Sequence, residues 1–221
     1  MDFLTPTVQK AMWVATWETL EMVLISGVVT VVIGLILGIL LHATGKGGLS
    51  PVRWLNFILS GIIVNITRSI PFAILMVALI PFAALIVGTS LGPIAASVSL
   101  TIGTIPFFAR LVETALRDVS SGKVDAALVM GSTKMQVIRK VLVPEAMPGI
   151  VAAGTTTLVT LIGYSAMAGL VGGGGLGRLA YNYGFQRYEP AIMVVTIVIM
   201  VVMVQLVQVI GDRIARVMDH R

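Results

Sequence analysis

The stretch from Thr19 to Leu41, TLEMVLISGVVTVVIGLILGILL, carries one formal charge, Glu21, near its start and none in the 20 residues that follow. A helix of about 20 apolar residues crosses the hydrocarbon core of a bilayer. A helix also satisfies its own backbone N–H and C=O groups where no water can do so. Gly34 and Gly38 lie inside this first span. Four more apolar blocks follow, at about Asn56–Ile80, Leu91–Leu111, Gly149–Val171 and Ala191–Ile210. The second is interrupted by Arg68 and Pro71. From Phe57 to Gly88 there are 32 residues, about 16 for each of two helices, which is short for a span. One helix followed by an uncharged loop with Pro81, Gly88 and Pro93 is expected instead. The fold class is therefore all-α integral membrane: five transmembrane helices and a short cytoplasmic helix.

Composition agrees. Of 221 residues, 57% are apolar and 11% charged, with a mean hydropathy of +1.01; a soluble domain carries about 25% charged residues. There is no cysteine, which excludes a disulfide framework, a thiolate metal site and a cysteine nucleophile. The net charge of +5 reads as loop charge on one membrane face rather than as a nucleic-acid surface. Met1–Glu18 contains Asp2, Lys10 and Glu18 ahead of a long apolar run, unlike a secretory signal.

Eleven of the 15 basic residues fall on one side: Lys46 and Arg53; Arg110, Arg117, Lys123, Lys134, Arg139 and Lys140; Arg213, Arg216 and Arg221. Lys10, Arg178 and Arg187 fall on the other, and Arg68 lies within a span. The positive-inside rule puts the N-terminus outside and the C-terminus in the cytoplasm. The expected organisation is an extracytoplasmic segment 1–16, a membrane domain 17–211 and a cytoplasmic tail 212–221.

The longest cytoplasmic segment, about Val112–Met147, has helical patterning. Asp118–Gly122 reads as a break and Lys123–Val137 as a short helix, with Val124, Ala127, Leu128 and Gly131 at i, i+3, i+4 and i+7. Met135 and Ile138 continue the stripe, and Pro144 and Pro148 are expected to end the element. Such a helix either rests on lipid headgroups or lays its face into a groove on a soluble partner.

The loop also matches a motif. Permease subunits of bacterial ATP-binding-cassette importers carry Glu-Ala-Ala, three residues, Gly, nine residues, Ile, one residue, Leu-Pro. Here Asp125-Ala126-Ala127, Gly131, Val141 and Val143-Pro144 stand at those spacings, with Asp for Glu and Val for Ile and Leu. The chain thus resembles that family. Thr67–Phe72, Ile105–Arg110, and Tyr164–Gly169 with the glycine run and Tyr181, Tyr183–Gln186 and Tyr188 make it similar to the methionine-importer branch. The resemblance covers about Trp17–Ile210. It implies that Asp125, Ala126, Ala127, Gly131, Val141, Val143 and Pro144 form the site that couples the permease to an ATPase. It implies a homodimer of this permease, two separate ATPase subunits holding ATP and Mg, and an extracytoplasmic substrate-binding lipoprotein. Import of methionine, as the L- and D-isomers, by alternating access across the bacterial cytoplasmic (inner) membrane would follow. Another small solute is the alternative substrate.

The residues themselves add constraints. No Gly-x-x-x-x-Gly-Lys-Ser/Thr loop is present, so ATP hydrolysis belongs on another chain and this one is not an enzyme. Gly172–Gly177 contains Gly-x-Gly-x-x-Gly, but an apolar span precedes it where a nucleotide site needs a strand; a flexible turn is expected. The ten acidic residues lie at span edges or in loops, and no inverted repeat is evident, against an ion-coupled secondary transporter. His42 and His220, a loop and a tail residue, have no metal-ligating companions. Translocation-path candidates are Arg68, Ser69, Tyr164, Ser165 and Met167. Arg68 is a charge within a span, and Met167 is a deformable side chain suited to a gate. The small and polar residues of the third and fourth spans are expected to serve helix packing.

Overall fold

The computed structural model describes residues 5–218, and every regular element within them is helical. Asp2, Asp219, His220 and Arg221 lie outside the described residues. In chain order the helices are α1 (Pro6–Thr44), α2 (Arg53–Ser69), α3 (Phe72–Val87), α4 (Pro93–Arg117), α5 (Ser121–Val129), α6 (Lys134–Leu170), α7 (Gly175–Leu179, continued by the wider π-type turns of Ala180–Gln186) and α8 (Pro190–Met218). Four of them, α1, α4, α6 and α8, are long and apolar enough to cross a membrane, and the bent pair α2–α3 brings the count to five if it is one span.

The first span is longer than its apolar run. α1 extends 39 residues, taking in residues 6–16 and placing His42 in its last turn rather than in a loop. Its early part is amphipathic enough to pack: Val8, Met12 and Ala15 are buried with Leu176, Leu179 and Ile192.

The region after Phe57 departs from expectation. Helix α2 stops at Ser69, and a second helix, α3, occupies the expected uncharged loop, with Pro81 inside it. Pro71 sets the break: it has no N–H and disfavours helical backbone in the residue before it. It then serves as the N-cap of α3. Gly88, at φ +77°, closes α3 in the left-handed conformation that only glycine adopts without cost. The two pieces are 17 and 16 residues long, so length alone was no argument against two helices once they need not span separately.

The fourth span also begins early. α6 runs unbroken from Lys134 through Pro144 and Pro148 to Leu170, so neither proline ends it. The widened turn Ile138–Leu142 precedes Pro144 and relaxes the hydrogen-bond ladder there. Val137, Leu142, Ala146 and Ile150 stay buried on one face and hold the helix together.

The chain forms two contact units. Among the described residues, one comprises 5–29, Ile70–Thr104 and Leu158–Gln208; the other comprises Thr30–Ser69, Ile105–Thr157 and 209–218. In the first, Met22, Val23, Met76, Leu100, Leu161 and Ile162 make the main core. In the second, Phe108, Val112, Leu116, Val137, Leu142 and Ile150 do. Hydroxyls are buried without cost because they bond back to the helix backbone. Thr104 Oγ1 donates to the Leu100 carbonyl at 2.6 Å and Thr157 Oγ1 to that of Ala153 at 2.8 Å. Ser97, Ser99, Thr155 and Ser165 are buried as well, in keeping with the packing role expected for these spans.

The glycine run is a fixed turn. Gly172, Gly174 and Gly175 all have φ between +74° and +96°. Glu18 Oε2 accepts the Gly175 N–H at 2.6 Å, and Thr19 Oγ1 accepts that of Leu176 at 2.9 Å. These capture the free donors at the start of α7 across 157 residues of sequence. A charge-assisted bond of this kind contributes about 1.5–3 kcal/mol. Glu18→Ala is therefore expected to lower the thermal midpoint of the purified protein, and Glu18→Gln to restore part of the loss. Equal midpoints for all three would contradict the clamp.

Candidate functional site

The motif residues sit in the second contact unit, and the local sequence explains their arrangement. α5 begins after a break at residues 118–120, with Ser120 as its N-cap, and ends at Val129. The expected single helix Lys123–Val137 is thus two elements. Gly131 adopts φ +85°, and its N–H reaches the Leu128 carbonyl at 2.9 Å while that of Ser132 reaches Ala127 at 3.0 Å. This left-handed stop ends α5. Thr133 then starts α6 with a capping box: its hydroxyl accepts the Gln136 N–H and its own N–H donates to Gln136 Oε1 at 2.8 Å.

This break changes which faces are presented. Ala127 is buried against Val137 and Leu142. Asp125, Ala126 and Leu128 are exposed, and Val129 and Met130 project at 88% and 79% exposure. Met135 is exposed too, so the apolar stripe does not make one face. Val141 and Val143 are half-buried in the following helix, and Pro144 is exposed. The motif therefore contains an inner set that packs (Ala127, Val141, Val143) and an outer set that is free (Asp125, Ala126, Gly131, Pro144). Two polar contacts tie the segment to its surroundings: Lys123 Nζ pairs with Glu145 of α6, and Lys134 Nζ donates to Ser50 Oγ at 3.1 Å. On α4, the buried Glu113 bridges Arg110 and Arg117 at 2.6 Å each. None of these partners was evident from the sequence, although the Thr133-x-x-Gln136 capping pattern was there to be read.

The path candidates divide between the two units. Arg68 and Ser69 lie exposed in the last turn of α2, in the second unit; Ser69 Oγ donates to the Asn65 carbonyl at 2.7 Å. Tyr164, Ser165 and Met167 lie on α6 in the first unit. Ser165 is buried and donates to the Ile162 carbonyl at 2.7 Å. Tyr164 stacks on Phe72 with centroids 3.9 Å apart and planes 4° from parallel. Met167 is 43% exposed and borders an apolar cavity of about 480 Å³ with Leu170, Tyr181 and Phe185. Among the described residues no group of three or more His, Cys, Asp or Glu could hold a metal ion.

The segment 30–221 matches the family model of the binding-protein-dependent transport system inner membrane component. The chain belongs to this family. Members are subunits of multi-component transport systems, so this one is a multi-pass inner-membrane transport subunit and not itself an enzyme. A probable D-methionine transport system permease protein, MetI, of Vibrio cholerae is 57% identical over 207 residues, covering 94% of this chain and 92% of the relative. The D-methionine transport system permease protein MetI of Escherichia coli K12 is 51% identical over 164 residues, 73% of this chain and 75% of its own length. Among solved structures, the inward-facing methionine ABC transporter MetNI aligns with a TM-score of 0.95 at 47% identity, over 98% of this chain and 100% of the other. An amino acid ABC transporter structure at 20% identity and TM-score 0.74 shares the fold.

Proposed function

We propose that this chain is the membrane-spanning permease of an ATP-driven methionine importer. The observation that carries the reading is the α5 segment: an exposed surface of Asp125, Ala126 and Leu128–Met130, stopped by a left-handed Gly131, in a chain similar over nearly its full length to methionine permeases. An exposed apolar tip on a helix braced by Ala127 packing and the Lys123–Glu145 pair is built to enter a groove on a soluble partner. That partner is a separate ATPase subunit holding ATP and Mg. Two copies of the permease form the path, one ATPase docks on each, and an extracytoplasmic substrate-binding lipoprotein delivers L- or D-methionine. The N-terminus lies outside and the C-terminus in the cytoplasm, as the loop charges direct. ATP binding closes the ATPases, α5 moves with them, and α6, tied to α5 by the Lys123–Glu145 pair and by Ala127 packing with Val137 and Leu142, carries the motion into the span.

Met167 gates the path, aided by the stacked Phe72–Tyr164 pair one turn before it. Its flexible thioether can fill or vacate the neighbouring apolar cavity. Met167→Ala should raise methionine-independent ATP hydrolysis in the assembled transporter and lower the methionine moved per ATP several-fold. Unchanged values for both would remove the gate role.

The reading is tested by affinity purification of the tagged permease from its native membrane, with ATPase activity assayed in the eluate. A co-purifying ATPase whose rate responds to methionine is expected. An ATPase indifferent to L- and D-methionine would point to another small solute, and no ATPase in a preparation that retains the dimer would overturn the assignment.

A further inference from the structure

The second contact unit holds a cavity of about 580 Å³ that the coupling site does not use except at its rim. Its ionic lining comes from three segments: His42 and Lys46 at and just after the end of α1, Arg110, Glu113 and Arg117 on α4, and Asp125 on α5. Glu113 is 6% exposed, and its two oxygens each accept from a different guanidinium, Arg110 Nη1 and Arg117 Nη2, both at 2.6 Å. The spacing i, i+3 and i, i+4 puts all three on one face of α4. The carboxylate is thereby committed on both oxygens. Each guanidinium has five N–H donors, and the contacts on Glu113 leave most of them available. The triad carries one net positive charge, Lys46 adds a second, and only the exposed Asp125 opposes them.

Two arginines oriented by a buried carboxylate present planar donor forks, the geometry that suits phosphate oxygens. They are partly open, with side-chain exposures of 35% for Arg110 and 65% for Arg117. The wall contributed by α2 is Asn56 and Ser60, and the same helix exposes Trp54 and Phe57 at 66% and 67%. Exposed aromatics beside a basic pocket are the side chains that settle at a headgroup layer.

We propose that this cavity binds a phosphate group, supplied by the headgroup of an anionic phospholipid. The choice of lipid over free phosphate rests on the membrane orientation proposed above; the anion chemistry of the cavity does not.

The test uses the transporter purified with its ATPase in mild detergent, or the permease alone if no ATPase accompanies it, so that failure of the functional reading leaves this test intact. Native mass spectrometry counts the phospholipid retained by the wild type, by the Lys46→Gln/Arg117→Gln variant and by Arg213→Gln, an exposed cation of α8. Arg110 stays in place, so the buried Glu113 keeps a partner and the fold is preserved. Phosphatidylglycerol retention is expected to fall several-fold in the double variant only, with phosphatidylethanolamine unchanged. In a second arm, delipidated protein is titrated with inorganic phosphate and followed by thermal shift. A phosphate-dependent rise lost in the double variant, with equal lipid retention throughout, would support the site and assign it to free phosphate. No difference between wild type and double variant in either arm would overturn the proposal.

Discussion

Gly177→Ala should leave no folded protein to purify. A Cβ built at Gly177 falls 2.1 Å from the Ala166 carbonyl oxygen and 2.7 Å from the Ala166 carbonyl carbon and Cα. All three are backbone atoms of α6, so no side-chain rotation relieves the clash. The contact is two-sided, because a Cβ at Gly169 would meet the Arg178 backbone nitrogen at 2.4 Å. Helices in lipid associate by close backbone approach at small residues, and here the approach also seats α7 under the Glu18–Thr19 clamp. Separating α6 from α7 loses that packing together with the clamp. The expected cost is at least about 4 kcal/mol, in the range reserved for disruption of a core. Size-exclusion profiles in detergent should show aggregate in place of the wild-type peak. Gly154→Ala is the companion: nothing lies within 4 Å of its Cβ, and alanine in a helix interior gains about 1 kcal/mol over glycine. A Gly177→Ala protein as stable as the wild type would mean that α6 and α7 do not meet as described.

The second large effect falls on assembly and not on folding. Val129 and Met130 are the most exposed apolar residues of the motif segment, and nothing in the core depends on them. Val129→Asp combined with Met130→Asp should leave the thermal midpoint of the isolated permease within error of wild type. It should weaken ATPase association by about 3 kcal/mol, the scale of an interface hot spot, or roughly a hundredfold. Titration of the purified ATPase onto nanodisc-embedded permease reads this directly. Undiminished binding would mean that this tip rests on lipid headgroups, the other occupant its amphipathic sequence allows.

The sequence carried the membrane class, the approximate positions of the spans and a short helix in the motif segment, because each rests on local information: runs of apolar residues and fixed spacings. Boundaries were less legible. The 13 residues of α1 ahead of Thr19 are polar enough to look like a tail, yet they are helical because Val8, Met12 and Ala15 find partners near residue 176. Prolines misled in both directions. Pro71 breaks a helix as its chemistry predicts, whereas Pro81, Pro144 and Pro148 sit inside helices that packing keeps continuous. Glycine at 131 was read as a stripe residue, but it is a left-handed stop, which divides one expected helix into two. The pairings of Glu18 with Gly175 in the first unit, and of Lys123 with Glu145 and of Arg110 and Arg117 with Glu113 in the second, follow from tertiary proximity or from rotamers that spacing alone does not select.

Of the measurements that bear on the whole account, the most direct is uptake of labelled methionine into proteoliposomes containing this permease, the ATPase that co-purifies with it and the cognate binding protein, with ATP supplied on the ATPase side. Accumulation is expected to require ATP and the binding protein and to disappear with Val129→Asp/Met130→Asp. Methionine uptake that continues without ATP, or that survives loss of the α5 tip, would contradict it.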